Sequence, residues 1–218
     1  MIREAIDAIV RGNDLSQEEA AQTMGEIMEG EATPAQIAAF ITALRIKGET
    51  VDEITGMART MREKSLKVST DGLLVDTAGT GGDGQNTINV STTAAIVAAA
   101  AGVRMAKHGN RAASSVSGSA DVLEALGIKV DLSPEGVNRC LEEVGIGFMF
   151  AQVFHPAMRH AGGPRREIGI RTVFNILGPL TNPAGAQAQV LGVADPQIGE
   201  KMARALQALG TEHALVVH

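Results

Sequence analysis

The feature that most constrains this chain is a glycine-rich stretch between Asp76 and Asp121, which follows a short apolar run. The run at 73–75 is typical of a buried strand. Glycines then stand at positions 79, 81, 82 and 84, and an alanine-rich helix candidate follows them. Glycine lets backbone N–H groups turn towards a ligand, and a helix N-terminus carries partial positive charge. The stretch therefore predicts a phosphate site between a strand and a helix.

Two familiar phosphate loops do not fit this stretch. Residues 79–84 match the pattern G-x-G-x-x-G, but a dinucleotide fold opens its helix at the third glycine and ends the next strand in an acid. Here the helix candidate begins only at Thr92, and the next strand candidate ends in Lys107. A P-loop needs lysine where Gln85 stands. The stretch thus favours a phosphate compound that is neither NAD nor a nucleoside triphosphate.

The second half of the stretch adds positive charge and hydroxyl groups. Lys107 and Arg111 follow a short strand candidate, and serines stand at 114, 115, 117 and 119. Because the carboxyl ends of parallel strands meet at one edge of a sheet, this segment and the first loop are expected at the same edge. Cationic and hydroxyl donors with few acceptors predict a receptor for more than one phosphate group.

Three motifs together resemble those of the anthranilate phosphoribosyltransferase family. They are GTGGD, NVST and KHGNRAASS, the last followed by Ser-Gly-Ser-Ala-Asp, and the resemblance extends over the whole chain. Pyrimidine nucleoside phosphorylases share GTGGD but not KHGNRAASS. The resemblance implies transfer of a phosphoribosyl group from phosphoribosyl pyrophosphate to the amine of anthranilate, with Mg²⁺ as cofactor, in the second step of tryptophan synthesis.

The resemblance also implies a set of binding residues. For phosphoribosyl pyrophosphate these are Gly79, Gly82, Asp83, Thr87, Asn89, Val90, Ser91, Thr92, Lys107, His108, Gly109, Asn110, Arg111, Ala112, Ala113, Ser114, Ser115 and Ser119. For anthranilate they are Gly79, Asn110 and Arg165, and for Mg²⁺ the ligand is Ser91. No side chain is expected to act as a catalytic acid or base, since orientation and charge neutralisation supply most of the rate in such a transfer.

Ordinary structural roles stay open for several of these residues. Asp83 and Asn110 could each form a turn, and Lys107 could be an ordinary solvated lysine. His108 could be a structural histidine instead of lining the acceptor pocket. A helix-capping role is open for Thr87, Asn89, Ser91, Thr92 and Ser119.

Arg165 matches the family's acceptor-binding position, and an arginine fork binds a carboxylate through two parallel hydrogen bonds. Its neighbour Arg166 is expected to be surface charge.

The pattern of apolar residues predicts two domains of an α/β protein. Residues 1–70 read as helices only, with capping boxes at Ser16 and Thr50, and the resemblance gives this domain the homodimer contact. Residues 71–218 predict a mostly parallel sheet with helices on both faces. The strand candidates are 73–76, 103–107, 128–131, 146–150, 188–194 and 213–217. The helix candidates are 92–101, 119–126, 134–144 and 197–209.

The segment 151–186 has no clean period and contains four prolines. Short helix candidates occupy 155–161 and 172–177. By resemblance this segment returns towards the helical domain and lines the active cleft.

The composition limits the binding partners and the cellular compartment that can be expected for this protein. The net charge of −6 argues against nucleic acid or an anionic membrane as a partner. The single cysteine, Cys140, excludes an intrachain disulfide and favours a reducing compartment, and its helical setting predicts a core position. We find no membrane-spanning run, no signal peptide and no zinc-ligand spacing. A cytoplasmic protein is expected.

The resembled enzymes continue for roughly another hundred residues, about the size of a further α/β segment. There they carry an Asp-Glu pair that holds a second magnesium ion. We therefore expect the fold to be incomplete at its C-terminal side and the isolated chain to be weakly active or inactive. Two other functions stay open: a pyrimidine nucleoside phosphorylase of the same fold, and a non-enzymatic relative that binds nucleic acid.

Overall fold

The computed structural model describes residues 1–85, 87–112 and 117–218. They divide into two compact units, Met1–Ser65 with His155–Thr181 and Leu66–Phe154 with Asn182–His218. Along the chain the helices and strands are α1 (Ile2–Val10), α2 (Gln17–Glu29), α3 (Pro34–Lys47), α4 (Val51–Glu63), β1 (Val75–Gly79), α5 (Val90–Ala100), β2 (Met105–Gly109), α6 (Ser119–Ala125), α7 (Pro134–Glu143), β3 (Ile146–Phe150), α8 (Ala151–Phe154), α9 (Arg159–Ile168), α10 (Phe174–Leu177), β4 (Ala188–Gly192), α11 (Gly199–Ala208) and β5 (His213–Val217).

Three helices of the first unit, α2, α3 and α4, begin where the sequence supplies caps. Ser16 and Thr50 both form the predicted capping boxes, so each side chain accepts a backbone hydrogen bond that the helix cannot satisfy itself. The interior is mostly aliphatic, and its fully buried side chains include Met57 and the aromatic Phe40. Glu53 is buried too, and its carboxylate accepts hydrogen bonds from Leu15 N and from Lys47 Nζ. Glu53, which belongs to the capping box of α4, therefore also links α4 through hydrogen bonds to the segment before α2 and to the end of α3.

The second unit is built on a five-stranded parallel sheet in the order β3-β2-β1-β4-β5. Successive side chains of a strand point to opposite faces. On β3, the space at Gly147 is filled by Val137 and Leu141 of α7, whereas Phe148 packs beside the cluster that contains Ala120 and Leu123 of α6. Helices therefore cover both faces, which confirms the predicted fold class.

One predicted strand is wrong. Residues 128–131 form no strand, and this part of the chain contributes a single buried residue, Val130, to the cluster of Leu123 and Phe150. The apolar run is too short to distinguish a strand from an irregular segment with one side chain turned inwards. The predicted helix 155–161 is also displaced, because α8 ends before it and α9 continues beyond it to Ile168.

The predicted core position of Cys140 is wrong. Cys140 is half-buried on α7 and does not lie in the core. Within the described ranges, no helix combines the length and apolar character that a membrane crossing requires.

The tight packing of α2 against α4 yields a prediction. A Cβ on Gly56 would overlap the backbone carbonyl oxygen of Gln17, so Gly56→Ala must push two helices apart. We expect the change to lower the free energy of unfolding by about 1–3 kcal/mol, measured by urea denaturation followed by circular dichroism. Gly25→Ala on α2 is the control: its Cβ would meet nothing within 4 Å, so it should raise stability by about 0.5–1 kcal/mol. Equal effects of the two changes would contradict the close contact.

Candidate functional site

The centre of the second unit is a gap between two neighbouring strands. β1 pairs with β4 along its whole length, but β1 and β2 are in register only at Val75 and Met105 in the described chain. Beyond that pair, hydrogen bonds that involve side chains take the place of the backbone hydrogen bonds between the two strands. The fully buried Asp76 accepts a hydrogen bond from His108 N at 3.2 Å and one from Asn182 Nδ2 at 2.8 Å.

Asn182 completes this polar group. Its Nδ2 also donates to the carbonyl oxygen of Ala106 at 2.8 Å, and its Oδ1 accepts from Ala184 N at 2.9 Å. Every polar atom of the amide side chain is therefore used, as burial requires. Asp76 and Asn182 together hold β2 at a fixed distance from β1 where the backbone ladder has ended.

Lys107 enters the same region from β2. Its side chain is buried at 2% exposure, which excludes an ordinary solvated lysine. Nζ donates to the carbonyl oxygen of Thr77 at 2.7 Å and to Ser91 Oγ at 3.3 Å. Burial lowers the pKa of Lys107 and raises the pKa of Asp76, and in each case the charge of the other residue opposes the shift. The ammonium thus lies at the first turn of α5.

The N-terminus of α5 has donors to spare. Its N-cap is Asn89, whose side chain makes no capping hydrogen bond. Thr77 Oγ1 donates to the carbonyl oxygen of Ser91 at 2.8 Å, which ties the first turn to β1. Among the described residues no acceptor faces the backbone amides of Ser91 and Thr92, and the buried hydroxyl of Thr92 likewise has no partner there. Free amides beside a lysine ammonium suit an anion.

The glycine loop leads from β1 to this helix and is exposed. Gly81 and Gly82 have φ of 63° and 76°, a left-handed conformation that few other residues adopt. The carboxylate of Asp83 accepts a hydrogen bond from Gln85 N at 3.1 Å. The turn that the sequence allowed for Asp83 is therefore present, and its carboxylate is exposed. Thr87 is exposed as well, and its hydroxyl donates to the carbonyl oxygen of Ile88.

The second loop is closed by α6. Asp121 Oδ2 accepts hydrogen bonds from Ala112 N at 3.0 Å and from Gly118 N at 2.7 Å. A Cβ at Gly118 would overlap the backbone of Arg111 and Ala112, so only glycine lets the two ends of the loop approach. Asp121 thus holds Ala112, which lies in the KHGNRAASS motif, close to Gly118, which follows the motif. Ala113, Ser114 and Ser115, which the resemblance assigns to the donor, lie outside the described residues.

Arg111 is paired with carboxylates of α6. The sequence predicts that it supplies positive charge to phosphate, but its guanidinium forms ion pairs with Glu124 and Asp121, at 2.8 Å from Glu124 Oε1. It also lies over the ring of Phe150. Glu124 and Asp121 both belong to α6, which the sequence could not place against Arg111. These carboxylates offset part of its positive charge, and its contact with the donor stays a prediction.

The remaining predicted residues differ in exposure. Asn110 is exposed, and its Oδ1 accepts from Arg111 N at 2.8 Å, so the turn that the sequence allowed is present. His108 is buried. Ser119 is the first residue of α6, and the N-cap is Gly118, so the interpretation of Ser119 as a cap is wrong. A Cβ on Gly109 would press on Phe148 and Ser119.

Arg165 belongs to the first unit, on α9. Its side chain is half-buried, and burial lowers the pKa of its guanidinium. Cζ lies 4.9 Å from the centroid of the Phe174 ring. In the part of the chain that the structure describes, its guanidinium makes no hydrogen bond or ion pair. Arg166 is exposed, as expected.

Sequence reasoning missed the residues that shape the site from behind. Asp76, Asn182 and Asp121 were not singled out. A usable signal existed for Asp76, since a carboxylate that directly follows an apolar run must find donors when it is buried. Asp121 stands at the third position of a helix, where an acid often caps the preceding backbone. For Asn182 we find no local signal.

The described residues contain no cluster of three or more His, Cys, Asp or Glu side chains that could hold a metal ion. The side-chain oxygens at the first turn of α5 are hydroxyls, among them those of Ser91 and Thr92, and the exposed Asp83 is the carboxylate of the preceding loop. This donor set does not fit an ion held by protein alone. It does fit Mg²⁺, which usually keeps several waters and takes further oxygens from substrate phosphates.

Both parts of the chain match the same family. Residues 3–65 match the helical bundle domain of a glycosyl transferase family, and residues 71–218 match its a/b domain. Among curated proteins, the anthranilate phosphoribosyltransferases of Roseiflexus sp. (strain RS-1) and Chloroflexus aggregans are 66% and 68% identical over 217 residues. Each alignment covers 100% of this chain and 64% of the relative, so the chain spans less than two thirds of their length.

Solved structures agree in fold. The chain is similar to the anthranilate phosphoribosyltransferase of Thermus thermophilus, with a TM-score of 0.90 and 53% identity over 95% of this chain and 63% of that one. It is also similar to the Saccharomyces cerevisiae enzyme in complex with PRPP and Mg, with a TM-score of 0.91 and 28% identity over 99% of this chain and 64% of that one. A further complex of the yeast enzyme, with 4-fluoroanthranilate, has a TM-score of 0.85 at 26% identity and covers 99% of this chain and 63% of its own.

The Asp76–Asn182 pair yields a stability prediction. Asn182→Ala leaves a buried carboxylate oxygen and the carbonyl of Ala106 without their donor. We expect the free energy of unfolding to fall by about 1–3 kcal/mol. Asn138→Ala on α7 is the control, because the half-buried amide donates one exposed hydrogen bond to Glu142 while its buried Oδ1 has no partner among the described residues, so its removal should not lower stability by more than about 0.5 kcal/mol. Urea denaturation midpoints compare the two, and equal midpoints would contradict the importance of Asn182.

Asp121 yields a pH prediction. Hydrogen bonds from the backbone of Ala112 and Gly118, aided by Arg111, hold its pKa below the ordinary value. Because the folded pKa is the lower one, the charged form stabilises the fold above the unfolded pKa, and this contribution disappears as pH falls through the folded value. Asp121→Asn should therefore unfold more easily at neutral pH, with the difference from the parent chain shrinking in acid. Thermal melts of the two chains across pH measure it, and a difference that does not shrink in acid would contradict the prediction.

Proposed function

We propose, since this chain belongs to the glycosyl transferase family whose helical bundle and a/b domains it matches, that its protein is an anthranilate phosphoribosyltransferase. The reaction transfers the 5-phosphoribosyl group from phosphoribosyl pyrophosphate to the amine of anthranilate. It yields N-(5-phosphoribosyl)anthranilate and pyrophosphate, in the second step of tryptophan biosynthesis. The observation that carries the proposal is the buried ammonium of Lys107 at 3.3 Å from Ser91 Oγ, at a helix N-terminus whose first amides meet no acceptor in the described chain.

The donor fits this region by charge and by shape. Phosphoribosyl pyrophosphate carries phosphate at two ends, so it needs more than one group of donors. The amides of Ser91 and Thr92 with Lys107 supply one group, and the backbone of the loop at Gly79 and Gly82 can approach the ligand because no side chain intervenes. The second loop, clamped by Asp121, supplies the other candidate donors.

The chemistry asks little of side-chain acids and bases. The bond from ribose C1 to pyrophosphate breaks, positive charge develops on the ribose ring, and the amine of anthranilate forms the new bond. The amine then loses a proton. Fixed donors that neutralise the departing pyrophosphate, together with orientation of the two substrates, account for the rate in such reactions.

Magnesium is the proposed cofactor. When bound, Mg²⁺ neutralises and orients the pyrophosphate oxygens. Ser91 is the residue that would hold it, through Oγ and waters. The ammonium of Lys107 lies at hydrogen-bonding distance from the same oxygen. Because the ammonium repels a bare cation, this arrangement favours a magnesium ion that arrives bound to its anionic substrate.

The acceptor is proposed to bind at Arg165. Its half-buried guanidinium has no carboxylate partner in residues 1–85, 87–112 and 117–218, although burial of a cation favours one. Anthranilate is a planar acid whose carboxylate matches the fork of an arginine. The yeast enzyme named above forms a complex with 4-fluoroanthranilate, an acid of the same kind.

Two further features of the proposal concern assembly and compartment. A homodimer through the N-terminal helices suits the exposed apolar side chains of Val10 on α1 and Ile46 on α3. A cytoplasmic location suits a single unpaired cysteine. Nucleic acid is not a proposed partner, because the net charge is −6 and Arg111 is already paired.

Turnover tests the proposal directly. The chain is mixed with phosphoribosyl pyrophosphate, Mg²⁺ and anthranilate, and the loss of anthranilate fluorescence is followed, with calorimetric titration of the donor in parallel. We expect Mg²⁺-dependent donor binding, with turnover weak in a chain that spans only part of its relatives. A chain that instead splits a pyrimidine nucleoside with inorganic phosphate would be a nucleoside phosphorylase, and the proposal would fail. It would fail equally if the donor did not bind.

Arg165→Lys is the sharpest single change. Lysine keeps the charge but loses the planar fork, so we expect anthranilate affinity to fall by roughly tenfold or more while donor affinity stays constant. Fluorescence titration of anthranilate and calorimetry of the donor give the two values. Arg166→Lys is the matched control on the neighbouring exposed residue and should leave both unchanged. Equal losses for acceptor and donor would contradict the role of Arg165.

A further inference from the structure

Two arginines in the described chain lie over phenylalanine rings, and they differ in their other partners. Arg111 Cζ is 5.5 Å from the centroid of Phe150, and Arg165 Cζ is 4.9 Å from the centroid of Phe174. Arg111 also pairs with the carboxylates of α6. The guanidinium of Arg165 has no hydrogen-bond acceptor or carboxylate among the residues described. The ring is therefore the contact that can fix the direction of the Arg165 guanidinium.

Phe174 is suited to hold another group in place. It is the first residue of α10, and only 5% of it is exposed. The turn that precedes α10 is closed by hydrogen bonds between Thr172 and Asn175, from Thr172 N to Asn175 Oδ1 and from Asn175 N to Thr172 O, both 2.9 Å. The ring thus has little freedom to move. A cation near its face is attracted by the negative charge of the π-system.

This contact leaves the donors of Arg165 available. Contact with a ring occupies no carboxylate or carbonyl acceptor, so the five N–H groups of the guanidinium can still bind a ligand. A free arginine side chain would sample many rotamers and would lose that freedom on binding. An arginine already held by a ring loses less.

We propose that Phe174 is a positioning residue, whose ring holds the guanidinium of Arg165 ready for the carboxylate of an aromatic acceptor. The inference rests on the proposed function for the identity of the acceptor. It extends that function to a residue with no donor or acceptor atom in its side chain. It also gives Phe174 and Arg165 unequal roles, since Phe174 acts through Arg165 and Arg165 acts on the ligand.

Three substitutions test the proposal. Phe174→Leu removes the ring and keeps an apolar side chain, and Phe174→Tyr restores a ring. Phe40→Leu is the control for loss of a buried ring in the same unit, since Phe40 is fully buried on α3 and no arginine lies over it in the described chain. Anthranilate is titrated by its fluorescence, and donor binding with Mg²⁺ by calorimetry, at a temperature where every variant is folded.

We expect Phe174→Leu to weaken anthranilate binding by roughly three- to tenfold and to leave donor binding unchanged. Phe174→Tyr should restore most of the affinity, and Phe40→Leu should lower the melting temperature without changing either affinity. A role in packing alone would make Phe174→Leu behave like Phe40→Leu, and this result would overturn the inference. If Arg165→Lys weakened anthranilate binding and Phe174→Leu did not, the proposed function would stand and the inference would fail.

A second measurement decides the inference without a ligand. A ring near the guanidinium shifts the NMR resonances of the Arg165 side chain upfield, and Phe174→Leu should abolish that shift while Phe174→Tyr keeps it. Unchanged Arg165 resonances in Phe174→Leu would overturn the inference. A parent chain that bound no anthranilate would contradict the proposed function, and the NMR comparison would still show whether Phe174 orients Arg165.

Discussion

The gap between β1 and β2 is the constraint on which the candidate donor site depends. Two parallel strands that stayed paired would leave no room for a side chain between them. Here the ladder ends after Val75 and Met105, and Asp76 and Asn182 take over the hydrogen bonds that the backbone gives up. Each buried polar atom of this pair has a partner, which is the condition for keeping such atoms in a protein interior. The separation they fix lets Lys107 reach the first turn of α5.

The candidate donor site carries less net positive charge than the basic residues of the motif suggest. Asp76 offsets part of the charge of Lys107, Arg111 forms ion pairs with Glu124 and Asp121, and Asp83 adds negative charge to the exposed loop. Among the described residues, the backbone amides of Ser91 and Thr92 are donors that face no acceptor. A substrate with several negative charges would therefore gain from bringing a divalent cation, because the protein alone supplies little net positive charge. The magnesium proposed for the reaction follows from this balance as well as from the relatives.

Much of the fold was predictable because it depends on local signals. The capping boxes at Ser16 and Thr50 and the strand 146–150 follow from residues that are close in sequence. The run at 128–131 was misjudged because one buried side chain, Val130, produces the same short apolar pattern as a strand. The glycine loop and Lys107 were identifiable from their positions at strand ends. The hydrogen bond from Asn182 to Asp76 was not, because it joins residues 106 positions apart.

Arg111 and Arg165 show why a motif alone does not fix a role. Both are arginines in segments that resemble the family, and both lie near a phenylalanine ring. Only the tertiary structure reveals that α6 brings two carboxylates to Arg111, whereas Arg165 is half-buried with a ring and no anion in the described residues. A partly buried cation without a counter-ion lowers stability, since it has lost water and gained little in return. Such an arrangement is understandable where a ligand supplies the missing anion. The physical reason to propose a carboxylate at Arg165 is therefore its guanidinium, which has no anion among the described residues, more than the motif around it.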